Sequence, residues 1–370
     1  MVTPITLPTI DVIFKQLASN FIKRSARGIA ILIIKDDTST EFQTKEYKDL
    51  KELKNDEALY TPANYQYIAD ALSFPVSKVV VVRIATTGTI ADALTIIEGT
   101  IKTGWVTTVG TAEDYTALVD WVKDKEANGG TYKGIVYNAL QGPDSKHVVN
   151  FVNEKVTFKD VRAEQTGEKY LPSLLGILAS CNVEKGSTYF VCENLSKVQE
   201  VADVDAALNG GKFILINDLD VENEQVIPKV KVGLGINSLT TFDADNTEDM
   251  RYIDIVETMD LITDDIRNTF KNDYIGKYKN NLDNQIVFIS AINTYFNSLA
   301  QEDILDNTYK NYADVDVVAQ RAAWAVVKSE AESWDDTQVR NTPYKRNVYL
   351  AGDIKILGAM ENLKFNISIF

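Results

Sequence analysis

The sequence predicts a multidomain chain of α/β or α+β class with strand-forming segments at both ends. Three observations lead there. Two continuous apolar runs of strand length, residues 28–34 (GIAILII) and 79–84 (VVVVRI), read as strands covered on both faces. From about residue 96 to 235, short apolar runs alternate with helical patterns, which implies a parallel or mixed sheet. At the end of the chain, Leu363, Phe365, Ile367 and Ile369 alternate with polar Lys364, Asn366 and Ser368. That is the period of two that a strand with one buried face requires.

Taken in order, residues 1–20 read as an extended arm, because Pro4 and Pro8 discourage helix and Ile10, Val12 and Phe14 alternate along it. A helix over 64–72 ends before Pro75. A short strand spans 105–109, and Thr111 then caps a helix with Asp114 as a partial capping box. Tyr115, Leu118, Val119 and Val122 share one face of that helix, and Gly129-Gly130 stop it. Next come a strand over 134–138, a helix around 147–151, a strand over 189–192 and a helix around 198–208. Gly210-Gly211 end that helix, and a strand over 213–217 follows. After Thr241 the period changes. Ile255, Val256, Met259, Ile262, Ile266 and Phe270 recur at steps of three and four, as do Ile286, Ile289, Ile292, Phe296 and Leu299. Two amphipathic helices are expected there, with a third over 317–332. Strands return at 347–350 and 353–357, ahead of the terminal segment.

At 370 residues the chain exceeds one comfortable core, and 45% hydrophobic with 25% charged residues is ordinary for a globular protein. A formal net charge of -15 argues against a nucleic-acid surface, which needs clustered Lys and Arg. The start MVTPITLPTI has neither the basic nor the apolar region of a secretory signal, so none is expected. No run approaches the ~20 apolar residues of a membrane span, and no membrane insertion is expected. Cys181 and Cys192 read as reduced, partly buried thiols in a cytoplasmic product.

Motifs for catalysis are sparse. His147 is the one histidine, placed on the expected helix SKHVVNFV as a surface or half-buried side chain, with no nucleophile elbow anywhere. One His and two Cys eleven residues apart cannot assemble an ordinary zinc site. Gly233-Leu234-Gly235 lacks the third glycine of a dinucleotide loop. The acidic run from Asp243 to Asp249 has Glu248 where a calcium loop needs glycine, and reads as a solvated linker. Neither a cofactor nor a metal is expected, and the chain reads as no enzyme. The competing class is an α/β enzyme or small-molecule binder with an appended helical domain; a third, an extracellular surface-layer protein, is disfavoured by the missing signal.

Several stretches resemble, in order, the contractile phage tail sheath family, in particular the compact sheaths of prophage-like particles and R-type bacteriocins. LPTIDVIFKQLA and then Arg24-Ser25-Ala26-Arg27-Gly28 into IAILIIKD are similar to its arm and strand entry. GKFILIND at 211–218 resembles the strand before its junction, and Asn237-Ser238-Leu239-Thr240-Thr241 the junction signature itself. Residues 260–266 and Tyr274-Ile275-Gly276-Lys277 resemble the helix and the "YIGK" that follows, and Ala359-Met360-Glu361-Asn362-Leu363 its closing strand. Leu234-Gly235 and Asn362 depart from the family's usual basic and acidic residues.

The resemblance implies a middle α/β domain of the subtilisin-like kind, without a protease site, and a C-terminal sheath domain of helices plus strands. The expected division is an arm over 1–20, an α/β or β region over 21–95, and the subtilisin-like domain over 96–241. The sheath domain then spans 242–352 and a strand arm 353–370. It further implies six-membered rings stacked around an inner tube, contraction without nucleotide, and baseplate and terminator proteins as partners. Such a subunit would reside in a virion tail or bacteriocin particle assembled in the host cytoplasm. Ile10, Val12, Phe14, Leu363, Phe365, Ile367 and Ile369 would then dock as strands on neighbouring subunits. Eight residues reach ~26 Å, and burying the four C-terminal apolar side chains yields on the order of 6–12 kcal/mol before ordering costs. The basic positions Lys271, Lys277 and Lys279, in an otherwise acidic chain, are the expected tube contact.

Overall fold

The computed structural model describes residues 21–25, 27–139, 142–181, 183, 185–222 and 225–367. The chain divides into two compact units, one of Arg24–Asp265 with Ile356–Phe370, the other of Met1–Lys23 with Ile266–Lys355.

The first unit is built on seven strands. In chain order it contains β1 (Ile29–Lys35), β2 (Thr44–Tyr47), α1 (Leu50–Asn55), α2 (Pro62–Leu72), β3 (Lys78–Ile84), α3 (Ile90–Thr100), β4 (Thr103–Thr108), α4 (Ala112–Ala127), β5 (Thr131–Tyr137) and β6 (Val148–Phe151). It continues with β7 (Lys155–Phe158), β8 (Glu164–Thr166), α5 (Leu171–Ser180), β9 (Leu195–Val198), α6 (Val204–Asn209), β10 (Lys212–Phe213), β11 (Leu215–Glu222) and β12 (Gln225–Val232). The main sheet runs β10-β6-β5-β4-β1-β3-β2, parallel throughout except for the antiparallel edge strand β2. β1 and β3 pair from Ile29↔Lys78 to Lys35↔Ile84, and their unbroken apolar sequence follows from burial on both faces. Thr111 caps α4 with a complete capping box, since Asp114 bonds back to the Thr111 N–H at 3.0 Å.

Residues 148–151 form β6 between β5 and β10, where a helix was expected; a run as short as VVNF does not distinguish the two, and the neighbouring strands decide. Residues 189–192 contribute only a bridge between Val191 and Lys231. β8-β7-β9 form a small second sheet, and β11 and β12 a hairpin paired from Leu215↔Val232 to Glu222↔Gln225.

Helix α7 (Ile253–Thr269) contains the division between the units. The second unit continues with a π-turn over Phe270–Tyr274, α8 (Leu282–Gln301), β13 (Tyr312–Val315), α9 (Val317–Ala325), α10 (Asp336–Asn341) and β14 (Leu350–Asp353). The expected third helix stops at Ala325 and resumes as a 3-10 turn over Ser329–Ser333. The strands expected over 347–350 and 353–357 resolve into the single strand β14. Phe288, Ile289, Ile292, Phe296 and Leu299 are buried along α8. β13 and β14 pair antiparallel as a sheet of two strands. Asn293 of α8 holds the outer edge of β13 by bonds to both the N–H and the carbonyl of Ala313.

Candidate functional site

The parallel sheet reverses strand order at β1, the position where open α/β sheets place ligands beyond the strand C-termini. Here that place is occupied by the chain's own groups. Lys35 Nζ lies 3.1 Å from both oxygens of Asp114. Asp36 accepts from the Thr61 N–H and from Asn64. Burial would raise the Asp36 pKa, but these hydrogen bonds outweigh it and hold the carboxyl at about 2.

The starts of the strands carry the larger cluster. Trp105 of β4, Thr131 and Lys133 of β5, and His147 ahead of β6 converge on Glu257, Asp260 and Asp264 of α7. Those three carboxylates follow at steps of three and four, so they share one helix face. Lys133 Nζ sits 2.7 Å from Asp260 and 3.3 Å from Glu257, over the Trp105 ring. Trp105 Nε1 donates to Glu257 at 2.8 Å, and Thr131 donates to Asp264 at 2.8 Å. Arg27 closes the far end, 3.3 Å from Asp264.

His147 is 5% exposed, a correction to the surface or half-buried histidine expected from its sequence. Its Nε2 lies 2.9 Å from Asp260, and its Nδ1 makes an ion-pair contact of 3.2 Å with Glu126 that falls short of hydrogen-bond geometry. Burial would push its pKa down, but Asp260 and Glu126 prevail and raise it to about 9. In turn Asp260, buried beside Lys133 and His147, and Glu126, beside His147 and Lys146, are both held at about 2. An imidazolium with a carboxylate at each nitrogen has no lone pair for a nucleophile's proton, so His147 acts as a structural cation.

The segment Asn237–Thr241 is the second fastening. Asn237 donates to the Met250 carbonyl at 2.7 Å, and the Ser238 N–H donates to the Val148 carbonyl at 2.8 Å. Asp144 accepts from the N–H groups of Thr240 and Thr241 and from the Thr240 hydroxyl, at 2.7–3.1 Å. Gly211 has φ +65°, and a Cβ there would lie 2.7 Å from the Ser238 carbonyl oxygen, so only glycine fits against this turn.

Cys181 and Cys192 are free and buried, and burial pushes both thiols up to about 12. Among the described residues no group of three or more His, Cys, Asp or Glu side chains is placed to hold a metal ion. No described helix is long and apolar enough to cross a membrane.

Of the expected docking residues, Ile10, Val12, Phe14 and Ile369 lie outside the described residues. Leu363, Phe365 and Ile367 are 92%, 76% and 71% exposed and belong to no strand. Just before them the chain is fastened: the Ala359 N–H donates to Asp254 at 3.1 Å, and Thr188 donates to Glu361 at 2.6 Å. Lys271, Lys277 and Lys279 are all exposed, on and just after the π-turn. The buried cluster on α7 was missed by sequence reasoning, although a lysine inside the β-strand TYKGIVY was its visible signal.

Comparison with known proteins agrees with this picture of a scaffold. The phage tail sheath C-terminal domain profile matches residues 245–370. The tail sheath protein of Clostridium phage phiCD119 is 26% identical over 375 residues, spanning 98% of this chain and 99% of that protein. The crystal structure of the sheath tail protein from Desulfitobacterium hafniense matches with a TM-score of 0.67 at 15% identity, covering 83% of this chain and 94% of that one. The helical sheath of the anti-feeding prophage in its contracted state matches with a TM-score of 0.63 at 13% identity, covering 99% of each chain. The sequence relatives define a tail sheath structural subunit, not an enzyme, and the solved structures share its fold. The chain is similar to phage tail sheath proteins along its whole length, and its residues 245–370 match that family's C-terminal domain profile, in keeping with its motifs.

Proposed function

We propose that copies of this chain stack as six-membered rings around a rigid inner tube, and that the lattice shortens to drive the tube through a cell envelope. In this reading baseplate and terminator proteins close its two ends, and assembly takes place in the host bacterial cytoplasm. Residues 96–241 act as a subtilisin-like domain by fold alone, between the 21–95 region and a sheath domain over 242–352. The segments 1–20 and 353–370 are arms that add strands to the sheath domains of neighbours. Lys271, Lys277 and Lys279 face the tube.

The observation that carries the reading is the C-terminal arm. Three large apolar side chains at a period of two stand in solvent directly after an anchored segment. A receptor edge supports it: a sheet of two strands is too small to be stable alone, and β14 has an exposed edge while Asn293 holds that of β13. Deletion of residues 363–370 is expected to leave a folded subunit with unchanged thermal unfolding that forms no tubes by negative-stain microscopy. Tubes of normal length from the truncated chain, or loss of its cooperative unfolding, would refute the arm as an assembly element.

A further inference from the structure

The second unit holds a pocket of about 750 Å³ that the arm-and-tube reading uses only at its bordering Lys279. Its floor is aromatic: Phe288 packs 4.5 Å from Tyr274 and 5.2 Å from Phe270, between ring centroids. Two polar atoms there are buried without a hydrogen-bond partner, the hydroxyl of Tyr274 and Oε1 of Gln285. Tyr274 is 7% exposed and Gln285 2%, so neither reaches bulk water. A buried acceptor left unpaired is costly, which marks a place where another chain's polar group completes the structure. The charged residues lining the pocket are Lys279, Lys345 and Arg346, without a carboxylate among them, in a chain of net charge -15. Among the described residues none of these three is in an ion pair.

The same chain carries a complementary surface. Residues 242–249 (FDADNTED) are exposed apart from half-buried Asn246. Phe242 projects from them with the Arg251 guanidinium 5.9 Å from its ring, and Asp245, Glu248 and Asp249 make no ion pair among the described residues. An exposed aromatic ring flanked by carboxylates is the chemistry that an aromatic floor with a cationic border accepts.

We propose that the acidic loop 242–249 of one copy docks in this pocket of a second copy. Phe242 enters against Phe270, Tyr274 and Phe288, and its flanking peptide bonds meet the Tyr274 hydroxyl and Gln285 Oε1. Asp245 and Glu248 meet Lys345 and Arg346. Loop and pocket are different surfaces, so the contact is head-to-tail, the kind that builds rings or helices rather than closed pairs. The inference rests on the assembly reading above. Lys271 and Lys277, assigned there to the tube, do not line the pocket.

The test is a charge exchange in the full chain. Asp245→Lys/Glu248→Lys alone, and Lys345→Glu/Arg346→Glu alone, are each expected to raise the concentration needed for polymerisation at least tenfold. All four substitutions in one chain should restore it to within about threefold of the parent, with monomer unfolding unchanged throughout. Normal polymerisation of either half-exchanged chain, or no recovery in the fourfold variant, overturns the proposal. A second measurement needs no polymer: anisotropy of a labelled peptide spanning residues 239–251 should report binding to the monomer, at least tenfold weaker with Lys345→Glu/Arg346→Glu. Equal binding by both monomers, or none by the parent, overturns docking independently of the assembly reading. A parent that binds the peptide yet never polymerises would sink that reading and leave the docking intact.

Discussion

His147 offers the most direct test of the ion cluster that fastens α7 to the sheet, because it is the chain's one histidine and its imidazole signals need no assignment. Its pKa rises from an ordinary 6.5 to about 9 in the folded chain, where Asp260 and Glu126 overcome the effect of burial. A group whose folded pKa is raised stabilises the fold fully below its unfolded value. That contribution is lost as the pH climbs through the folded one. Between 6.5 and about 9 the proton contributes about 3 kcal/mol, at roughly 1.4 kcal/mol per tenfold change in proton affinity. This is a sizeable part of the roughly 5–15 kcal/mol that holds a typical domain together. Urea unfolding followed by the imidazole resonances should therefore show the midpoint falling by up to about 1 M from pH 6 to pH 9.5, for a slope of about 3 kcal/mol/M in a unit this size. The folded-state imidazole should titrate near 9, and a His147→Gln chain should lose most of the slope over that range. An imidazole that titrates near its ordinary value, or a midpoint flat from pH 6 to 9.5, would show that the carboxylates do not hold the proton.

Asp260→Asn leaves Lys133 buried with Glu257 as its remaining carboxylate, and should destabilise the fold by about 3–5 kcal/mol in denaturant titration. Replacing both partners, as Lys133→Met/Asp260→Leu, should cost far less than the sum of the single changes, and strict additivity in that double-mutant cycle would refute the pairing. Charge reversal at Lys271 and Lys277, the two expected tube lysines outside the pocket, should weaken co-sedimentation with the inner tube while polymers of this chain alone persist. Undiminished co-sedimentation would move the tube-facing surface elsewhere.

What the sequence made legible follows from how each segment is buried. The strands at 28–34 and 79–84 were readable because burial on both faces demands unbroken apolar runs. Helix α5 escaped notice for the same reason in reverse: nine of its ten residues are buried, so LPSLLGILAS shows no amphipathic period. The hairpin of β11 and β12 was read only as far as Asn217. Beyond it Asp218 and Asp220 pair with Lys229 and Lys231 across the strands, and a charged face hides a strand from a search for apolar runs. For α7 the apolar stripe was visible, but nothing in the helix's own sequence marks its acidic face as buried. Lys133 and His147, with Arg27, Trp105 and Thr131, all more than a hundred residues earlier, turn it into a buried surface.

The C-terminal segment presents the opposite case. Its period of two is the plainest pattern in the chain, yet in a single copy residues 363–367 pair with no strand and keep their apolar side chains in solvent. A strand pattern sets which face is buried, while the hydrogen-bond ladder must come from another edge. The isolated chain leaves exposed the edge of β14, and it also leaves the Tyr274 hydroxyl and Gln285 Oε1 without partners. An unsatisfied buried group in a native subunit calls for a partner that the single copy does not supply. The part of the sequence hardest to reconcile with one folded copy is therefore the part that reads most naturally as instructions for a lattice.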